Sequence, residues 1–161
     1  MLMDAKEFLK QLQKLDKMIE NKSIEKEQWK SIALGITSSS KTIIIKGVQH
    51  AMDKVQSQGE QQKMADAVAR YVDIEHEIAH IIDKLIDARK DVISVIEQLP
   101  AVEYDLLHKV YVQCFTLDEY AARHGNSYSW ATTIHGRALK EVQRILEERQ
   151  IGEDNGRTVH A

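Results

Sequence analysis

Thr116–Ile134 reads TLDEYAARHGNSYSWATTI, and this stretch decides how the C-terminal part of the chain folds. Leu117, Tyr120 and Ala121 recur at helical spacing and give a short helix one apolar face. Gly125 stands where that helix must stop and the chain must turn sharply, because glycine takes the left-handed conformation without a Cβ penalty. Ser127 offers a hydroxyl to the free N–H groups of a second helix. Ala131 and Ile134 point back at the first helix, and the small Ala121 lets the two cross closely. Alanine, glycine, cap and aliphatic in this order present a helix to a DNA major groove. An ordinary helical hairpin would use the same residues.

The flanks extend the pattern. In LPAVEYDLLHKVYVQCF, Pro100 breaks the preceding helix, and Leu106, Leu107, Val110 and Tyr111 form a new stripe. The second helix runs on through HGRALKEVQRILEER, with Ala138, Leu139, Val142, Ile145 and Leu146 on one face. With these residues in place, Leu99 to Arg149 resembles the fourth region of bacterial sigma factors, which reads the upstream promoter element. LP at 99–100, LL at 106–107, TLDEYAARHG, Ser127 and RAL at 137–139 agree in order and spacing. To about Arg149 the chain also resembles small phage and prophage proteins of Gram-positive bacteria, related to ArpU- and RinA-like regulators of late phage transcription. SVIEQLPAVEYDLLHKVY and SYSWATTIHGRALK carry that likeness.

The resemblance implies a regulator that binds double-stranded promoter DNA, alone or together with RNA polymerase. By motif, its groove-facing positions fall on Tyr128, Ser129, Thr132 and Thr133. Sigma region four usually carries charged or amide side chains there. None of these four is Arg, Lys, Asn or Gln, the strongest base readers. Hydroxyls contact phosphates and either type of base, and a threonine methyl contacts thymine. Trp130 lies among them, and packing against the first helix accounts for it equally well.

Charge does not single out a nucleic-acid surface. The chain has 22 Lys+Arg and 25 Asp+Glu, net −3, and from Leu99 onward seven basic residues face nine acidic ones. A self-sufficient DNA-binding domain is usually basic, so an oligomer or a partner such as RNA polymerase is expected to compensate. Arg137 and Lys140 are the expected phosphate holders. With Arg144 they recur at helical spacing after His135, and they would equally form a solvated face balanced by Glu141, Glu147 and Glu148.

One proline and seven glycines fit a mainly helical chain. A lone Cys114 excludes an internal disulfide or a cysteine metal site and reads as a small buried residue. No signal peptide or membrane-spanning run is visible, so a cytoplasmic protein is expected.

The N-terminal half has a different pattern. Phe8, Leu9, Leu12, Leu15 and Ile19 recur at helical spacing. Ser23 is expected to cap a second segment holding Ile24, Trp29, Ile32 and Ala33, with Gly35 ending it and TSSS at 37–40 as a loop. TIIIK at 42–46 is the one strand-like run, an edge strand or equally a buried turn or helix start. A short helix over Val48 to Val55 and a polar break, SQGEQQ, follow.

From about Gln61 to Leu99 the pattern is helical without a breaker. Met64, Tyr71, Ile78, Leu85, Val92 and Leu99 are spaced by seven, with Val68, Ile82 and Ile96 between them. Such a helix spans roughly 57 Å, so it must pack against the N-terminal helices, a second protomer, or both. Glu75 and Arg89 interrupt a strict coiled-coil seam, which favours a helical bundle.

HEIAH at 76–80 matches H-E-x-x-H. On a helix this places both imidazoles on one face, where zinc could sit with Glu77 as general base, and Asp83 and Asp87 lie on the same side. Projection also puts His76, His80, Asp83 and Asp87 opposite Ile74, Ile78, Ile81 and Leu85, as a polar outer face. No metal, cofactor or catalysed reaction is expected.

These readings predict an all-α protein. Residues 1–98 form a helical hairpin or bundle with a long helix that makes a homo-oligomer. Residues 99–149 form a sigma region-four-like helix-turn-helix domain, and 150–161 a flexible tail. The alternatives are a small terminase subunit binding phage DNA for packaging, and a zinc metallopeptidase.

Overall fold

The computed structural model describes residues 3–45 and 58–157, with side chains over 3–35 and 59–154. Among the described residues the chain is all-α, without strands. Helix α1 runs Ala5–Ile45, α2 Gln58–Ile96, α3 Ala101–Leu107, α4 Leu117–Arg123 and α5 Tyr128–Arg157. A π-helical turn, His108–Val112, extends α3. The chain divides into two compact units, one of Lys17–Asp83 and one of Met1–Asp16 with Lys84–Ala161.

In the first unit α1 and α2 run antiparallel. Ala67, Ile74 and Ile81 of α2 are buried, and Tyr71 and Ile78 between them are half-buried. These positions alternate at four and three residues, which keeps one side of a long helix toward one neighbour. On α1 the half-buried positions in this unit are Ile19, Lys22, Glu25, Lys26, Trp29 and Ala33. The two lysines sit at seam positions because carboxylates from α2 meet them. Lys22 pairs with Glu77, Lys26 Nζ lies 2.9 Å from Glu75 Oε1, and Lys26 lies 5.1 Å from the Tyr71 ring centroid. Arg70 bridges Glu25 at 2.9 Å and Glu77 at 3.1 Å. Hydrogen bonding to Lys26 holds the Glu75 carboxyl below its ordinary pKa, and Lys22 with Arg70 does the same for Glu77. Half-exposed pairs of this kind add little stability.

Several local expectations give way here. Ser23 does not cap a helix, Gly35 does not end one, and residues 37–40 are not a loop, because α1 continues through all of them. The strand-like run is helical as far as Ile45. Serine and glycine inside a helix cost at most about 1 kcal/mol each, and the seam of Ile19, Trp29 and Ala33 continues across Ser23. The SQGEQQ break is helical from Gln58. The segment Val48 to Val55 lies outside the described residues. Val68 and Ile82, placed by spacing in the stripe of Tyr71 and Ile78, are 46% and 40% exposed. Ala67, Ile74 and Ile81, one residue earlier, take the inner positions.

The second unit has a continuous apolar core. Ala5, Phe8, Leu9 and Leu12 of α1 and Val92, Val95 and Ile96 of α2 are buried in one cluster with Leu106, Leu107, Tyr120, Ala131, Ala138 and Val142. Full burial of each aliphatic side chain contributes about 1.5–3 kcal/mol. The expected boundary at 98/99 therefore passes through this core. Polar contacts repeat the arrangement at its rim. The Ala5 N–H donates to Gln143 Oε1 at 2.8 Å, Gln13 Nε2 to the Val110 carbonyl at 3.2 Å, and Arg149 reaches Asp91 at 2.8 Å and Ser94 Oγ at 3.0 Å.

Pro100 stands immediately before α3, with φ −54°. The π turn closes with the Gln113 N–H on the His108 carbonyl at 3.0 Å and the Phe115 N–H on the Lys109 carbonyl at 2.9 Å. Cys114, between them, takes φ +61° and is exposed. This overturns the expected burial, since the residue closes a turn instead of continuing the apolar stripe. The expected flexible tail is helical through Gly152 to Arg157. No helix among the described residues is long and apolar enough to cross a membrane.

Candidate nucleic-acid interface

The pair formed by α4 and α5 is fixed by backbone chemistry at three points. At the start of α4, Thr116 Oγ1 accepts from the Glu119 N–H at 3.1 Å, and Glu119 Oε2 accepts from the Thr116 N–H at 2.8 Å. This reciprocal cap satisfies two donors that a helix start leaves free. At the end of α4, the Asn126 N–H donates to the Ala121 carbonyl at 2.9 Å and the Gly125 N–H to the Ala122 carbonyl at 3.2 Å. Gly125 has φ +64°, as this C-terminal closure requires. At the start of α5, Ser127 Oγ accepts from the Trp130 N–H at 3.2 Å.

The two helices meet through buried Ala121, Ala131 and Ile134 and the nearly inaccessible ring of Tyr120. Tyr120 donates its hydroxyl proton to Asp105 Oδ2 at 2.9 Å, and burial followed by that hydrogen bond raises its pKa. Trp130 lies parallel to Tyr120, with centroids 6.0 Å apart, and 6.1 Å from His124. His124 Nδ1 donates to the Tyr120 carbonyl at 2.8 Å, and its Nε2 lies 3.5 Å from Asp105. Trp130 thus locks the angle between α4 and α5. Behind α5, the Tyr111 hydroxyl meets His135 Nε2 at 2.8 Å. Burial, aided by Asp4, pushes the Tyr111 hydroxyl up to about 12. Burial, with Lys6 next, lowers the His135 pKa. The neutral imidazole and the tyrosine hydroxyl thus share one hydrogen bond.

Ser129, Thr133, Arg137 and Lys140 are exposed on α5, as is Tyr128 at 54%, while Thr132 is half-buried. The hydroxyls of Thr132 and Thr133 both donate to the Ser129 carbonyl, at 2.9 Å each. Their protons are spent on the backbone, so each offers outward a methyl group and an acceptor oxygen. Arg144 is held by Glu141 at 2.8 Å and Glu148 at 2.5 Å. Arg137 and Lys140 have no carboxylate within ion-pair distance among the described residues. The three cations grouped by spacing therefore separate into one neutralised residue and two open charges.

Sequence reasoning missed a further basic feature. The Arg123 guanidinium lies 4.3 Å and the Lys109 ammonium 6.0 Å from the Phe115 ring centroid. An aromatic residue directly before the Thr116 cap is the available signal, but its partners are six and eight residues away.

The HEIAH residues do not form a comparable site. Glu77 is engaged by Lys22 and Arg70, and His76 and His80 are exposed. Among the described residues no three His, Cys, Asp or Glu side chains are grouped to hold a metal ion. Comparison with protein-family models, with curated proteins and with solved structures finds no match.

Proposed function

We propose that the chain is a DNA-binding transcriptional regulator of phage type, with α4 and α5 as a helix-turn-helix and α5 as its recognition helix. The observation that carries this reading is the open charge of Arg137 and Lys140, on a helix whose first turn is exposed and whose neighbour is fixed by a glycine closure. Arg137 and Lys140 hold phosphates. Tyr128, Ser129, Thr132 and Thr133 meet the groove, the two threonines reading it through methyl groups and acceptor oxygens. That set suits thymine methyls and the amino groups of adenine and cytosine. The likeness to sigma region four and to late phage regulators supports the same function, acting at promoters with or without RNA polymerase, in the cytoplasm.

The test is selection of a preferred duplex from a random pool, followed by binding of Thr133→Ala to preferred and random duplexes. Loss of a base contact should weaken the preferred site by about 1–3 kcal/mol and leave random duplexes nearly unchanged. Failure to enrich any sequence would overturn base reading by this helix. A footprint at a packaging site instead of a promoter would make the protein a small terminase subunit.

A further inference from the structure

The first turn of α1 stands beside the exposed face of α5. Asp4, Ala5 and Lys6 line one shallow groove with Leu139, Lys140 and Gln143. The Ala5 N–H is already taken by Gln143 Oε1 at 2.8 Å, so what the groove offers outward is its side chains. Lys6 and Lys140 are exposed, and neither has a carboxylate within ion-pair distance among the described residues. Asp4 is the one acidic residue of the groove, which therefore sets two positive charges against one negative, in a chain of net charge −3. After burial, Lys6 is the charge that lowers the His135 pKa, which places it over the same stretch of α5. The face of α5 that borders this groove is the one assigned to DNA. Ser129, Thr133, Gly136 and Lys140 follow one another at four, three and four residues, are exposed, and lie within about 60° around the helix. Thr133 and Lys140 are about 10 Å apart along its axis. An added Cβ at Gly136 meets nothing within 4 Å, so the strip between them is open.

We propose that Lys6 is a DNA contact, its ammonium joining Lys140 in holding the sugar-phosphate backbone of a duplex bound by α5. The proposal rests on the reading of α5 as a recognition helix. It adds a residue from α1, whose sequence pattern points only to an oligomerisation arm. Charge selects the ligand. Two ammonium groups without a carboxylate partner share one groove, at the edge of a strip formed by Ser129, Thr133, Gly136 and Lys140 that displays no carboxylate. A lysine meets a phosphate as a point charge, and a phosphate contact carries no sequence information. Lys6 therefore adds affinity for duplex DNA without adding base preference.

The experiment is a salt titration of a random-sequence duplex against the full chain and its Lys6→Gln, Lys6→Arg, Lys14→Gln and Lys140→Ala variants. Lys14 is also exposed on α1, but lies about 12 Å along the axis and about 80° around it from Lys6. Lys6→Gln should reduce the slope of log affinity against log salt by about 0.9, which lowers affinity about eightfold at 0.1 M salt. Lys6→Arg should keep the wild-type slope, and Lys14→Gln should leave it nearly unchanged. Asp4→Asn, which removes the groove's negative charge, should tighten binding. Lys6 is exposed, so Lys6→Gln should melt as the wild type does, which separates a lost contact from a lost fold. A wild-type slope for Lys6→Gln, with that of Lys140→Ala reduced, would overturn this proposal and leave the reading of α5 standing. Equal reductions from Lys6→Gln and Lys14→Gln would also overturn it, because they would report the charge of the whole chain and not a contact. A wild type that binds no duplex at low salt would overturn both.

Discussion

Gly125 and Gly136 allow one chemical change to be made in two backbone conformations. At both positions an added Cβ meets nothing within 4 Å. Packing therefore contributes little to either Gly→Ala substitution, and the backbone decides the sign. Gly125 has φ +64°. An alanine held there costs about 1–2 kcal/mol relative to its preferred region, offset by about 0.4–1 kcal/mol from restricting the unfolded chain. Gly125→Ala should destabilise by about 0.5–1 kcal/mol. Gly136 lies inside α5, where glycine is about 0.5–1 kcal/mol worse than alanine. Gly136→Ala should stabilise by about that amount. The two variants should thus differ by about 1.5 kcal/mol, more than tenfold in the unfolding equilibrium. The assay is urea unfolding followed by Trp130 fluorescence in a Trp29→Phe background, so that the signal comes from the unit holding α4 and α5. Stabilisation by both substitutions would refute the left-handed turn at Gly125, and with it the geometry that orients α5.

Removing the Ser127 cap with Ser127→Ala should cost about 1 kcal/mol in the same assay, whereas His76→Ala with His80→Ala should leave stability within about 0.5 kcal/mol of wild type. A larger loss for the histidine pair, reversed by added zinc in the wild type alone, would restore the metal-site reading. His135 has a folded-state pKa below the unfolded value of about 6.5. Its contribution is therefore present above that pH and lost as pH falls through the lowered folded value. Melting temperature should drop on going from about pH 7.5 to about pH 5.5, and His135→Gln should flatten this segment of the curve; an unchanged slope would contradict the burial of His135.

The turn between α4 and α5 was legible because each of its constraints is local. Gly125 and Ser127 announce a left-handed closure and a cap within a few residues, and Ala121, Ala131 and Ile134 follow from spacing. The length of α1 was not legible, because Ser23, Gly35 and Ser38 are local stop signals that a long seam overrides. Lys22 and Lys26 look like surface residues until Glu77 and Glu75, some fifty residues away, are placed beside them. On α2 the positions spaced by seven, Tyr71, Ile78, Leu85 and Val92, were read correctly, but Val68 and Ile82 between them were taken in place of their buried neighbours Ala67 and Ile81, because periodicity alone does not say which of two adjacent apolar residues is buried. In the candidate site, the α5 positions follow from the motif, but their chemistry depends on partners. Only the structure separates Arg144, held by two glutamates, from Arg137 and Lys140. The setting of Phe115 between Lys109 and Arg123 depends on the left-handed Cys114, which no residue type announces.

The most direct measurement is a salt titration of duplex binding by wild type, Lys140→Ala and Arg144→Ala. If α5 holds DNA through its open charges, the wild type binds duplex at low salt. Lys140→Ala then reduces the dependence of log affinity on log salt by about 0.9. Arg144→Ala, which removes a charge already satisfied by Glu141 and Glu148, leaves that slope nearly unchanged. A wild type that binds no duplex at low salt, or equal slopes for all three proteins, would contradict the account.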